Sequence, residues 1–175
     1  YLENINMIAT SIRAGTMNIT KFNTKRKTKF TKAYYPSIPS AKAVTNDYDI
    51  DKNMIVTGPN ASGKTTLLKT TMINIILSQQ LGCGFFKKAT LDRYDRIHCY
   101  LNIPDTSGRD SLFQAEARRC KDILESIERD PLKRHFCVFD ELYSGTNPYE
   151  AVATGVSYIE HLSKLQNVDI MITTH

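Results

Sequence analysis

Apolar positions along this chain change their period several times, and each change marks an element. Leu2, Ile5, Ile8, Ala9 and Ile12 recur at helical spacing, which predicts a helix at the start. The stretch KFNTKRKTKFTK, Lys21 to Lys32, shows no apolar period and reads as a solvated hairpin or loop. AYYPSIPSAKAV, punctuated by prolines and β-leaning, suits an edge strand and a connection. NMIVTG then predicts a buried strand. KTTLLKTTMINIILSQQLG predicts a helix with Leu68, Met72, Ile75 and Ile76 on one face and Gly82 just past its end.

The alternation continues to the last residue. RIHCYL (Arg96 to Leu101) is strand-like, and Ser111 stands in capping-box spacing with Gln114 at the head of a helix striped by Phe113, Ala117, Cys120, Leu124 and Ile127. HFCVFDEL is an apolar strand ending in two carboxylates. EAVATGVSYIEHLSKL predicts a helix with Val152, Val156, Ile159 and Leu162 inward, and VDIMITTH a last buried strand. Continuous apolar strands alternating with helices predict an α/β fold, a mainly parallel sheet covered by helices on both faces.

Composition narrows the classes. With 175 residues, 41% of them hydrophobic, the chain can bury a core without a metal or disulfide staple. No apolar run approaches the ~18 residues of a membrane span, so no membrane partner is expected. The cysteines, Cys83, Cys99, Cys120 and Cys137, lie far apart with no CxxC pair and read as core thiols. Formal charge is +5, but six of the 23 basic side chains fall within Lys21 to Lys32, and the remainder is close to balanced. A nucleic-acid contact is the alternative reading of that stretch. The chain opens on Tyr1 and closes on His175 directly after a strand, the expectation for a piece of a longer protein. Residues 1–20 then read as the tail of a preceding helical domain, 21–34 as a basic connecting segment and 35–175 as the domain proper.

Chemistry enters with the stretch between the first buried strand and its helix. Gly58, Gly63, Lys64 and Thr65 satisfy GxxxxGK[ST], the P-loop pattern, in the strand-loop-helix context it requires. Glycines let the backbone curl so that successive N–H groups point at phosphate oxygens, and the new helix turns its positive end to the same anion. Gly58, Pro59, Asn60, Ala61, Ser62, Gly63, Lys64, Thr65 and Thr66 are therefore the expected nucleotide-binding set, with Lys64 neutralising the β and γ phosphates and the Thr65 hydroxyl ligating Mg²⁺. Asp140, at the carboxyl end of the strand FCVFD, is the expected Mg²⁺ carboxylate, and Glu141 the group that polarises the attacking water. His175 follows another buried strand at the same sheet edge and is expected to contact the γ-phosphate.

The combination of GPNASGKTT, a DE pair at a strand end and a closing histidine resembles the ABC-type ATPases, a P-loop NTPase superfamily that includes transporters, SMC proteins and MutS mismatch-repair proteins. Transporters and SMC proteins carry an LSGGQ-like segment that does not occur in this chain. SLFQAEARRCKDIL instead resembles the MutS signature helix, keeping Ser111, Phe113, Glu116, Ile123 and Leu124, and VTNDYDI, YDRI, DELYSGT and TTH resemble further MutS segments. The chain departs from that pattern where Tyr143-Ser144 replaces a Gly-Arg, and where Ala43 takes the place of an aromatic near the adenine.

The MutS resemblance implies Mg²⁺-dependent ATP hydrolysis at a site shared between two MutS-type subunits, identical or different. Ser111, Phe113 and Glu116 of one subunit would serve the nucleotide on the other. It further implies action on mismatched or structured DNA through other domains, inside a nucleus, nucleoid or other DNA-containing compartment. An ATP-gated dimerisation module with little turnover, of an ABC/SMC-like or recombination type, is the alternative.

Overall fold

The computed structural model describes residues 2–51, 53–101, 112–144 and 147–174. Its elements in chain order are α1 (Leu2–Arg13), β1 (Asn18–Asn23), β2 (Thr28–Ala33), β3 (Asn46–Ile50), β4 (Met54–Thr57), α2 (Lys64–Leu81), β5 (Cys83–Gly84), β6 (Lys88–Asp92), β7 (Arg96–Tyr100), α3 (Leu112–Arg129), β8 (His135–Asp140), α4 (Pro148–Ser163) and β9 (Val168–Thr174). They form two compact units, one from Tyr1–Asp51 and Thr65–Arg93, the other from Lys52–Lys64 and Tyr94–His175.

The first unit carries a mixed sheet in the order β3-β2-β6-β1-β5. The basic stretch occupies β1 and β2, yet these do not pair as a hairpin, because β6 inserts between them, parallel to β1 and antiparallel to β2. Its polar composition hides an every-other pattern in which Thr28 and Phe30 are buried and Lys29 is exposed. The Phe30 ring sits between Tyr48 and Phe86, with centroids 5.4 and 5.8 Å away. Aspartates on and just after β3 answer two of the lysines: Lys29 Nζ lies 3.1 Å from Asp49 and Lys27 Nζ 3.9 Å from Asp51, while Asp47 accepts the backbone N–H of Lys32 at 2.6 Å. Part of the positive charge is thus matched inside the sheet. AYYPSIPSAKAV forms turns rather than a strand; its two prolines lack the N–H a ladder needs, and β3 is the edge strand instead.

On α2, Leu68 and Ile75 are fully buried as the pattern predicts, while Met72 and Ile76 are only half-buried. The rest of its inward face is polar. Thr71 Oγ1 lies 2.9 Å from the Tyr48 hydroxyl, Asn74 Oδ1 accepts from the Phe85 N–H at 2.6 Å, and Thr20 Oγ1 donates to Ser78 Oγ at 2.7 Å. Hydrogen bonds of this kind make burial of Thr, Asn and Ser tolerable. Gly84 lets the chain approach, since a Cβ there would stand 2.7 Å from Asn74 Oδ1.

The second unit carries an all-parallel sheet in the order β4-β9-β8-β7. Cys137, Phe139 and Ile170 meet Cys120, Ile123 and Ile127 of α3 and Leu162 of α4 in one core, while Phe136, Val138 and Met171, on the alternate face, are also fully buried. Burial on both sides is why β8 and β9 read as near-continuous apolar runs. Helix α4 departs from its expected facing: Val152 is 65% and Val156 59% exposed. Tyr158 and Leu162 take the inward positions, the Tyr158 ring standing edge-on to Phe139 at 5.7 Å. The two valines flank an apolar cavity of about 450 Å³ with Ile55, Leu142, Ile159 and Ile172. β4, expected to be buried, lies at the sheet edge among the described residues, with Ile55 63% exposed. No described helix is long and apolar enough to cross a membrane.

Candidate functional site

β4 ends at Thr57, and the chain curls through Gly58–Gly63 before Lys64 opens α2. Gly63 adopts φ +95° and Ala61 φ +59°, so two left-handed residues bend the loop back on itself. At Gly58 the loop packs closely, since a Cβ there would stand 3.0 Å from Ser62 Oγ and the serine would have to give way. The bend brings the loop carbonyls around the lysine: Lys64 Nζ donates to Gly58 O at 2.7 Å and to Pro59 O at 3.2 Å. Lys64 is 7% exposed, and its ammonium also lies 3.8 Å from Glu141 Oε1. A buried cation is costly unless it is paired and hydrogen-bonded, and this one is both.

Glu141 arrives at the same carboxyl edge of the parallel sheet, two strands away from the glycine loop. β8 terminates at Asp140, in register with Thr173 of β9, and β9 stands between the strand of the glycine loop and the strand of the carboxylates. Thr173 is the residue that sequence reasoning passed over. Fully buried, its hydroxyl donates to Asp140 Oδ1 at 2.6 Å and accepts from the Glu141 N–H at 3.2 Å, so one side chain orients both acidic residues. The available signal was a pair of threonines closing the run VDIMI, apolar but for Asp169.

Beyond Asp140 the backbone is unusual. Glu141 has φ +50° and Tyr143 φ +58°, left-handed conformations that cost a side-chain-bearing residue roughly 1–2 kcal/mol each. Tyr143, only 3% exposed, sits in the core of the second unit, its ring 5.5 Å from Phe113 near the start of α3. Its N–H donates to the Tyr100 hydroxyl at 3.4 Å. Tyr100 in turn donates to the Glu116 carboxylate, and burial, with Glu116 adding to it, holds the Tyr100 phenol well above its ordinary range. Burial likewise raises the Cys120 thiol to about 11, although the Tyr143 hydroxyl donating to its sulfur works the other way.

Glu116 therefore faces into its own subunit, 3% exposed, with Oε2 buried and unpartnered. Phe113 is half-buried at the head of α3. Ser111 and His175 lie outside the described residues.

At the opposite end of β7 and β8, His98 Nε2 lies 2.9 Å from His135 Nδ1, the rings stacked at 5.2 Å. His135 Nε2 contacts the Asp130 carbonyl at 3.0 Å. A carbonyl only accepts, so Nε2 carries the His135 proton, and in the neutral pair His98 is the donor to Nδ1. Desolvation, then the His135, Arg119 and Arg96 charges, pull His98 down to about 4.

Against known proteins, a family profile described as MutS domain V matches residues 54–175. The protein "Endonuclease MutS2" of Staphylococcus carnosus is 29% identical over 160 residues, 89% of this chain and 20% of its own length. Its namesake from Thermus thermophilus is 34% identical over 153 residues, 82% of this chain and 19% of its own. The chain thus spans about a fifth of the length of the curated relatives it matches. The profile runs from the strand of the glycine loop through both carboxylates to the last residue, and the chain belongs to the MutS family, matching its domain V.

Proposed function

We propose that this domain binds ATP with Mg²⁺ and hydrolyses it, and that closure of two such subunits around the nucleotide drives movement on DNA by a MutS-type protein. The approach of Lys64 to Glu141, 3.8 Å apart with Asp140 beside them, carries the reading. Lys64 is poised to exchange two loop carbonyls for phosphate oxygens, which are stronger partners for an ammonium. Once released from that contact, Glu141 can accept the proton of the attacking water. The donor set suits Mg²⁺: a carboxylate at Asp140 and, from the motif, the Thr65 hydroxyl are hard oxygen ligands. Bound there, the ion would neutralise charge on the β and γ phosphates. Phe113, at the head of α3, and Ser111 are assigned to the γ-phosphate on the partner subunit, and His175 to the γ-phosphate of its own.

Glu141→Gln removes the base and keeps the shape. In the full-length protein, ATP affinity by calorimetry should stay within about threefold while steady-state phosphate release falls on the order of 100-fold or more. Unchanged turnover would remove Glu141 from this role.

A further inference from the structure

We propose that Tyr143 is a positioning residue for Glu141, locking the loop that carries the base onto helix α3 of the same subunit. This rests on the ATPase reading above and adds to it a residue that the P-loop and carboxylate motifs do not include. The loop has two left-handed residues flanking Leu142, and neither is glycine. Such a conformation persists only where the surroundings over-determine it.

Two anchors do so here. Upstream, Thr173 accepts the Glu141 N–H. Downstream, Leu142 packs against the core and Tyr143 makes the specific contacts: its N–H reaches the Tyr100 hydroxyl, its own hydroxyl donates to Cys120, and its ring meets Phe113. Tyr100 is held in turn by Glu116. Three of these partners, Phe113, Glu116 and Cys120, lie on α3. Glu141, with a side chain 36% exposed, projects from the segment strung between the two anchors.

The arrangement joins two parts that the proposed mechanism uses separately. The head of α3 serves the nucleotide of the partner subunit, and Glu141 serves the nucleotide of its own. A ring wedged between them makes a shift of α3 a shift of the base. The unpartnered Oε2 of Glu116 fits this role, since a buried, half-satisfied carboxylate is sensitive to any change in the hydroxyl facing it.

Three variants of the full-length protein test the assignment, with ATP affinity and steady-state kinetics measured for each. Tyr143→Ala should bind ATP within threefold of the parent and lose at least tenfold in kcat with KM unchanged, because only the base is displaced. Tyr143→Phe, which keeps the ring and the backbone N–H, should stay within threefold in kcat. Tyr100→Phe, which removes the hydroxyl that receives the Tyr143 N–H, should lower kcat by threefold or more at unchanged affinity. Parental kcat in a folded Tyr143→Ala protein, or a change confined to KM, overturns the proposal; if Tyr143→Ala does not fold, parental kcat in Tyr100→Phe overturns it. The two readings fail differently. Turnover that survives Glu141→Gln removes the ATPase assignment, whereas turnover lost in Glu141→Gln but intact in Tyr143→Ala removes only the role of Tyr143.

Discussion

The glycine loop and the acidic loop meet at the Lys64–Glu141 ion pair but are built in opposite ways. Residues 58–64 hold themselves: the curl comes from Gly63 and Ala61, and the lysine is satisfied by carbonyls five and six positions back. Residues 140–143 are held by others, with Thr173, Tyr100, Phe113 and Cys120 contributed from β9, β7 and α3. The first is local geometry that any strand and helix can carry. The second exists only when the core of its unit is assembled. A local cradle should therefore fail in binding, and an assembled loop in turnover or in folding.

The sharpest test of the local half is Lys64→Ala. It deletes a side chain that bridges the loops, so ATP affinity should fall on the order of 100-fold, about 3 kcal/mol, as charge-assisted contacts to phosphate are lost. The fold should survive, because the carbonyls of Gly58 and Pro59 can turn to water. Titration of the purified variant with ATP, alongside a melting curve, separates the two; persistent micromolar affinity would contradict the cradle assignment.

The next largest effect concerns the strands that deliver the acidic loop. His98, held at about 4 against an ordinary value near 6.5, stays neutral in the folded chain where the unfolded chain takes up a proton. The stability this provides is complete above pH 6.5 and is lost as pH falls toward 4. After allowing for partial solvation of the pair, the loss is roughly 2 kcal/mol. His98→Asn should flatten the fall in melting temperature between pH 6.5 and 4.5, and an unchanged slope would mean that other groups carry it.

The same contrast explains what could be read in advance. GPNASGKT is legible because its function is its local conformation, and HFCVFDE because a buried parallel strand must be apolar until it reaches the site. The insertion of β6 between β1 and β2 was not legible, since a five-residue strand of mixed polarity carries no record of its partners. Nor was the facing of α4: Val152 and Tyr158 both sit on apolar stripes, and only the shape of the Phe139 side of the core selects between them. Thr71, Asn74 and Ser78 evaded a search for apolar periodicity because each is buried through a specific hydrogen bond. Tyr143 was visible as a departure from a Gly-Arg pattern, but its role required the side chains of α3 around it.

The smallest effect probes the upstream anchor of the acidic loop. Thr173→Val preserves the β-branched shape and volume of a fully buried strand residue, so packing in β9 should change little. It removes one oxygen that serves two groups. The Glu141 N–H loses its acceptor and Asp140 loses its 2.6 Å donor, a penalty of about 1–2 kcal/mol divided between folding and catalysis. Since Asp140 remains partly open to solvent, water can replace its lost donor, and the burden falls on the orientation of Glu141. A drop in kcat of roughly tenfold at unchanged ATP affinity is the expected result. Thr173→Ser, which restores the hydroxyl without the methyl, should recover most of it. If the valine variant turns over at the parental rate, the downstream anchor alone suffices to place Glu141, and the acidic loop depends on α3 rather than on its neighbouring strand.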